Sequence, residues 1–141
     1  MEQESGIVAF AWMSRSAEWI GELSLAITPT AGEAYVWNCF TLEPHRRRGN
    51  YRRLLKGLVL QARADRLLRL WIGSIEDPAE KADADAGFAP VLHIGVTRVA
   101  GVRLLRALPA PGADAGLVDE ARQRLGLRGA RTLGIARQRI H

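Results

Sequence analysis

The stretch Tyr35-Val36-Trp37-Asn38-Cys39-Phe40-Thr41-Leu42-Glu43-Pro44-His45-Arg46-Arg47-Arg48-Gly49-Asn50-Tyr51-Arg52 decides how the rest of the chain is read. Its first eight residues are mostly apolar and aromatic, the composition of a strand, and they stop just before Pro44, which has no N–H to give to a ladder. A short basic loop ending in Gly49 follows. Over residues 50–66, Leu54, Leu55, Leu58, Val59 and Ala62 recur at the spacing of one helix face, with Arg52, Lys56 and Arg63 on the opposite side. Strand, basic glycine loop and helix together make an anion-binding turn. The first-turn N–H groups of a helix point outward with partial positive charge, and Gly49 lets the backbone come close to a ligand, so a phosphate-bearing cofactor is the first candidate.

Within the strand, alternation places Val36, Asn38, Phe40 and Leu42 on one face and Tyr35, Trp37, Cys39 and Thr41 on the other. Both faces are mostly apolar, which predicts a central strand covered on both sides. Working outward, Gly6-Ile7-Val8-Ala9-Phe10-Ala11-Trp12-Met13 is an apolar run too short for a typical helix and reads as a strand. Residues 18–27 alternate over much of their length before the turn chemistry of Thr28-Pro29-Thr30-Ala31-Gly32, so an antiparallel meander of three strands is expected. On the other side of the helix, residues 68–75 form a further apolar run. Strand, helix, strand is a βαβ crossover, which makes residues 35–42 and 68–75 parallel neighbours. Gly57, in the middle of the helix, costs roughly 1 kcal/mol relative to alanine and points to close backbone packing there. Asp77-Pro78 starts a short helix that ends at Gly87 before Phe88, and residues 91–96 and 102–108 are closing strands. The fold class is therefore α/β (α+β), with a mixed sheet. Residues 1–108 are expected to form the main domain and 109–115, with two prolines, a linker. Residues 116–141 form a helical and arginine-rich segment packing on the domain or on a partner chain.

The composition narrows the class. The chain has 141 residues, 48% hydrophobic and 25% charged, which suits one globular domain and excludes a disordered chain. The net charge of +5 comes from arginine, because Lys56 and Lys81 are the only lysines, and arginine suits phosphate and carboxylate partners. A single cysteine, Cys39, allows no intrachain disulfide, so a cytoplasmic home is expected. The acidic start Met1-Glu2-Gln3-Glu4 predicts no secretory leader, and no run approaches the ~18 apolar residues of a membrane span. No spacing of Cys, His or carboxylates suits a metal. The arginines are not interleaved with aromatics for base stacking beyond Tyr51, which argues against nucleic acid.

The order of elements over residues 6–108 resembles the acyl-CoA-dependent N-acetyltransferases of the GNAT superfamily. Two signatures carry the resemblance: Arg46-Arg47-Arg48-Gly49-Asn50-Tyr51, which is similar to the family's pyrophosphate loop, and Gly87-Phe88 after a short helix. The resemblance implies acetyl-CoA as co-substrate, with its pantetheine arm bonded by backbone groups of Cys39, Phe40 and Thr41 in an opening between the two parallel strands. The N–H groups around Arg46, Arg47, Arg48, Gly49, Asn50, Tyr51 and Arg52 would hold the diphosphate. An amine of a small molecule or peptide would attack the thioester carbonyl, polarised by the backbone near Phe40. A module that binds acyl-CoA or a protein partner without catalysis is the alternative.

This chain departs from the family pattern at informative places. Tyr51 stands where the family has glycine or alanine, so its side chain must point away from the phosphates. The family's tyrosine, which protonates the departing thiolate, falls on Asp83, and its asparagine on Glu76. An ionised aspartate donates a proton poorly unless its pKa is raised. Glu22 and Glu33 are the candidates for a base, and His45 and His93 read better as a loop residue and a core residue. The family's usual first strand and two helices have no counterpart here. The residues from Gly116, a second copy of the chain in a homodimer, or a preceding portion would have to supply that wall.

Overall fold

The computed structural model describes residues 2–3, 6–74 and 77–127. In chain order these form β1 (Glu2–Gln3), β2 (Gly6–Ile7), β3 (Ala9–Ser14), β4 (Glu18–Ile20), β5 (Leu25–Ile27), β6 (Glu33–Thr41), α1 (Asn50–Ala64), β7 (Arg69–Ile72), α2 (Asp77–Asp85), β8 (Leu92–Val99), β9 (Val102–Pro109) and α3 (Ala115–Arg124). The structure is mixed α+β and falls into two units. Met1–Ala17 and Pro29–Ala89 belong to the first, and Glu18–Thr28 with the residues from Pro90 onward to the second.

The first unit is built on a mixed sheet in the order β3-β6-β7, with β6 antiparallel to β3 and parallel to β7. The strand, helix, strand crossover is present as expected, with α1 connecting the parallel pair and packing on all three strands. Register explains why it sits on one face. Met13, Val36 and Ile72 lie opposite one another, as do Ala34 and Leu70, so small and aliphatic side chains share the side that α1 covers. There Val8, Ala9, Ala34, Val36, Leu55 and Ala62 are buried.

The alternation expected for β6 holds only as far as Trp37. The β3–β6 register shifts between the pairs Phe10↔Phe40 and Trp12↔Trp37, so three residues of β6 span two of β3. Asn38, with φ +48°, takes up the extra residue in a left-handed conformation that asparagine tolerates better than most. Beyond the bulge Cys39 and Thr41 join Val36 on the helix side, and Phe40 joins Trp37 on the other. That second face is not fully covered as expected, because the cross-strand pairs Phe10/Phe40 and Trp12/Trp37 each remain more than a third exposed. Gly57 is also not a close-packing site: it is exposed, and an added Cβ would meet nothing within 4 Å. β7 is shorter than the expected 68–75, and Ile75 and Glu76 lie outside the described residues.

The second unit contains two hairpins and α3. Residues 18–27 are not one strand of a meander but two, β4 and β5, paired with each other around a turn in which Leu23 N–H bonds Ile20 O and Ser24 N–H bonds Gly21 O, both at 3.2 Å. Ser24 takes φ +48° to close it. The closing strands β8 and β9 pair from Leu92↔Pro109 to Val99↔Val102. Their two-residue turn, Ala100-Gly101, has positive φ at both positions, the handedness that matches strand twist. Arg103 bonds Ser24 Oγ and the Glu22 carbonyl, tying one hairpin to the other. Residues 109–115 run from the end of β9 into α3, whose first turn is capped by Asp114 Oδ1 accepting from Leu117 N–H at 3.0 Å. The arginine-rich residues 128–141 lie outside the described residues.

Candidate functional site

The two parallel strands of the first unit are joined only from Glu33↔Arg69 to Val36↔Ile72. β7 ends at Ile72, whereas β6 continues to Thr41, so residues 37–41 have no rung to β7. The β-bulge at Asn38 falls two residues past Val36, the last residue of β6 paired with β7.

The basic loop follows directly. Glu43–His45 forms a single 3-10 turn with Pro44 at its start, Arg47 takes φ +58°, and Gly49 takes φ +73° as the residue before α1. A positive φ on arginine is uncommon and costly. Gly49 leaves α1 without any side-chain cap, and the first-turn N–H groups of Asn50, Tyr51 and Arg52 have no acceptor within the helix. The nearest atom to a Cβ built on Gly49 is Arg52 Nη2 at 3.8 Å, so the approach to those groups is open. Asn50, 3% exposed, holds the loop in shape by donating from Nδ2 to the His45 carbonyl at 2.8 Å. Arg46 folds back, its Nε donating to the Thr41 carbonyl at 3.1 Å and its guanidinium lying 5.5 Å over the Phe40 ring. Arg47 and Arg48 are exposed, and Arg52 pairs with Asp85 at 3.2 Å. No acidic residue stands in the first turn of α1 to answer the helix dipole.

These features bear on whether a phosphate-bearing thioester suits the place. The uncapped helix end and surrounding guanidinium groups call for an anion. Thr41 Oγ1, at the end of β6, is buried without a hydrogen-bond partner, a polar atom that a ligand lying along residues 37–41 would relieve. Both observations fit.

A second group of side chains gathers near the end of the β6–β7 ladder. Tyr51 projects away from the loop toward α2, where its hydroxyl donates to Asp83 Oδ1 at 3.2 Å. Asp83 is 6% exposed and is also bonded by the Ser74 side chain, just past the end of β7. Burial pushes its carboxyl above the usual aspartate range, against the pull of the Ser74 and Tyr51 hydrogen bonds. Cys39 of β6 faces the Tyr51 hydroxyl, and burial, with Asp83 adding, raises its thiol to about 11. Burial and the Asp83 charge raise the Tyr51 phenol as well, so all three groups are held toward their protonated forms.

Of the other expected site residues, Glu33 opens β6 at the end away from the loop. Its carboxylate accepts from Thr30 N–H at 3.0 Å and Trp71 Nε1 at 3.2 Å and pairs with Arg69 at 3.7 Å. Glu22 lies in the β4–β5 turn of the second unit, His45 in the 3-10 turn, and His93 on an exposed position of β8. Ser74 is the residue that sequence reading passes over; its only signal is its place near the end of the apolar run 68–75. Among the described residues no three His, Cys, Asp or Glu side chains are grouped to hold a metal, and no helix is long and apolar enough to cross a membrane.

No protein-family model and no curated protein matches the chain. Among solved structures it is similar to a chain described as "Putative acetyltransferase from Agrobacterium tumefaciens str. C58", at 20% identity and a TM-score of 0.47. The likeness covers 63% of this chain and 58% of that one, under two thirds of its length.

Proposed function

We propose that the first unit binds acetyl-CoA and transfers its acetyl group to an amine of a small molecule or peptide. One observation carries the reading: the β6–β7 ladder stops at Val36↔Ile72 while β6 runs on to Thr41 and into an uncapped, arginine-flanked helix end. The N–H groups of Asn50, Tyr51 and Arg52, with Arg47 and Arg48, hold the diphosphate. Backbone groups of Cys39, Phe40 and Thr41 align the pantetheine arm along the free edge of β6, and Thr41 Oγ1 gains a partner. The backbone near Phe40 polarises the thioester carbonyl for attack by the amine. Glu33 serves the fold, since its carboxylate already answers Thr30, Trp71 and Arg69.

Thermal unfolding with acetyl-CoA, inorganic phosphate or an oligonucleotide tests the proposal. Acetyl-CoA at a hundredfold excess over its Kd adds about 2.7 kcal/mol and raises the midpoint by several degrees, whereas the other two leave it unchanged. Gly49→Glu abolishes the response by placing a carboxylate against the diphosphate. An acetyl-CoA response that survives Gly49→Glu overturns the loop assignment. Release of free thiol with a panel of primary amines then separates a transferase from a module that only binds.

A further inference from the structure

We infer that the acceptor is an amine carrying an aromatic ring, which it lays on a shelf of aromatic side chains on the sheet face opposite α1; this rests on the acyl-CoA reading above. The helix side of β6 is already filled. Cys39 and Thr41 turn toward α1, where the Tyr51–Asp83 pair stands. An amine that reaches a thioester lying along residues 37–41 therefore comes from the other face.

That face is lined with rings. Register sets Phe10 beside Phe40, Trp12 beside Trp37 and Ser14 beside Tyr35, with Tyr35 opposite Trp71 of β7. The bulge at Asn38 brings Phe40 into line, since without the extra residue strict alternation puts Phe40 on the helix side with Val36. The shelf is closed at one end and open at the other: Tyr35 is 7% exposed, whereas Phe10, Trp12, Trp37 and Phe40 each keep more than a third of their surface. Ring centroids lie 5.6 Å apart in Phe10/Phe40 and 6.4 Å apart in Trp12/Trp37, with planes tilted by 35° and 29°. Paired side by side and open to solvent, these rings offer surface to a further ring. Charge narrows the class. Along β3 and β6 the only carboxylate is that of Glu33, at the closed end and already answered by Thr30, Trp71 and Arg69. The open end carries the Arg46 guanidinium, 5.5 Å over the Phe40 ring. An acceptor with a second ammonium group meets a like charge there and no partner, whereas a neutral aromatic ring gains contact. In the transfer the amine nitrogen bonds the thioester carbon and the C–S bonding pair leaves on sulfur. The proton shed by nitrogen reaches that sulfur through water, giving an amide and a free thiol.

Equilibrium dialysis against the protein saturated with CoA tests the inference without requiring turnover. 2-Phenylethylamine binds at least about tenfold more tightly than 1,4-diaminobutane. It binds about threefold more tightly than 2-cyclohexylethylamine, which has the bulk of the ring without its π-system. Trp12→Ala and Trp37→Ala each lose the preference for phenyl over cyclohexyl and keep the thermal response to acetyl-CoA, which also shows that they fold. Trp19→Ala, in β4 of the second unit and 65% exposed, keeps the preference. Equal affinity for the phenyl and cyclohexyl amines in the unaltered protein overturns the inference, as does tightest binding of the diamine or no binding of any of the three. Sedimentation as a dimer that Trp12→Ala dissociates assigns the shelf to a second copy of the chain and overturns it too. Absence of any thermal response to acetyl-CoA overturns the acyl-CoA reading itself, a separate and recognisable outcome.

Discussion

Cys39 lies one turn of reasoning away from a nucleophile, and its surroundings decide against that role. Its thiol is raised to about 11 by burial, with the Asp83 charge adding and the Tyr51 hydroxyl opposing. Two units above the ordinary value lowers the thiolate fraction at pH 8 about a hundredfold, so labelling by an aromatic disulfide reagent proceeds about a hundredfold more slowly in the folded protein than in urea. The same shift has a sign for stability. A thiol whose folded pKa exceeds its unfolded one favours folding fully below about pH 9, and that contribution is lost as pH rises through about 11. Urea midpoints between pH 8 and 11 therefore fall, and they fall less steeply in Cys39→Ala. Tyr51, raised in the same sense, adds to the slope in both proteins. A pH dependence identical in the two proteins contradicts the placement of Cys39. The sequence displayed Cys39, Tyr51 and Asp83 individually, yet their meeting was not legible. The Tyr51–Asp83 bond spans 32 residues and three elements, and no local spacing encodes it.

At the scale of elements, what was legible followed periodicity, and what was not followed single residues that break it. α1 runs over Asn50–Ala64 because its apolar stripe is long and regular, and the parallel pairing of β6 with β7 followed from the strand, helix, strand order. The bulge at Asn38 was hidden, because asparagine in an apolar run reads as a buried amide as readily as a residue with φ +48°. Glycine misled in the same way. A helical glycine suggests a tight contact, but Gly57 has helical dihedrals, solvent around it and no atom within reach of an added Cβ. Its cost is then backbone entropy alone. Gly57→Ala raises stability by about 1 kcal/mol, seen as a thermal midpoint some 3–5 °C higher, with the acetyl-CoA response unchanged. A lower midpoint would mean that the outer face of α1 is in contact with something.

The division of the whole chain into two units depends on a piece of sequence that looks as though it belongs elsewhere. Residues 18–28 sit between β3 and β6, the strands of the first unit's sheet, yet they fold with the residues after Pro90. Three observations hold them there. Thr28 N–H bonds the carbonyl of Arg124 at the end of α3 at 2.8 Å, Arg103 of β9 bonds both Ser24 and Glu22, and Ile27 is buried in the unit that also buries Val118, Ala121, Leu125 and Leu127. Ending the chain at Ala113 removes the first attachment and those four apolar side chains but leaves Arg103. Hydrogen exchange read peptide by peptide then shows residues 18–28 losing protection, because a lone two-stranded hairpin is marginal in water. The β8–β9 hairpin weakens less, since its own ladder is intact. Amides of α1 and β6 keep their protection, because Leu55, Val8 and Val36, the largest fully buried side chains, all lie in the first unit. Loss of protection in α1 equal to that in residues 18–28 would show that the two units unfold as one.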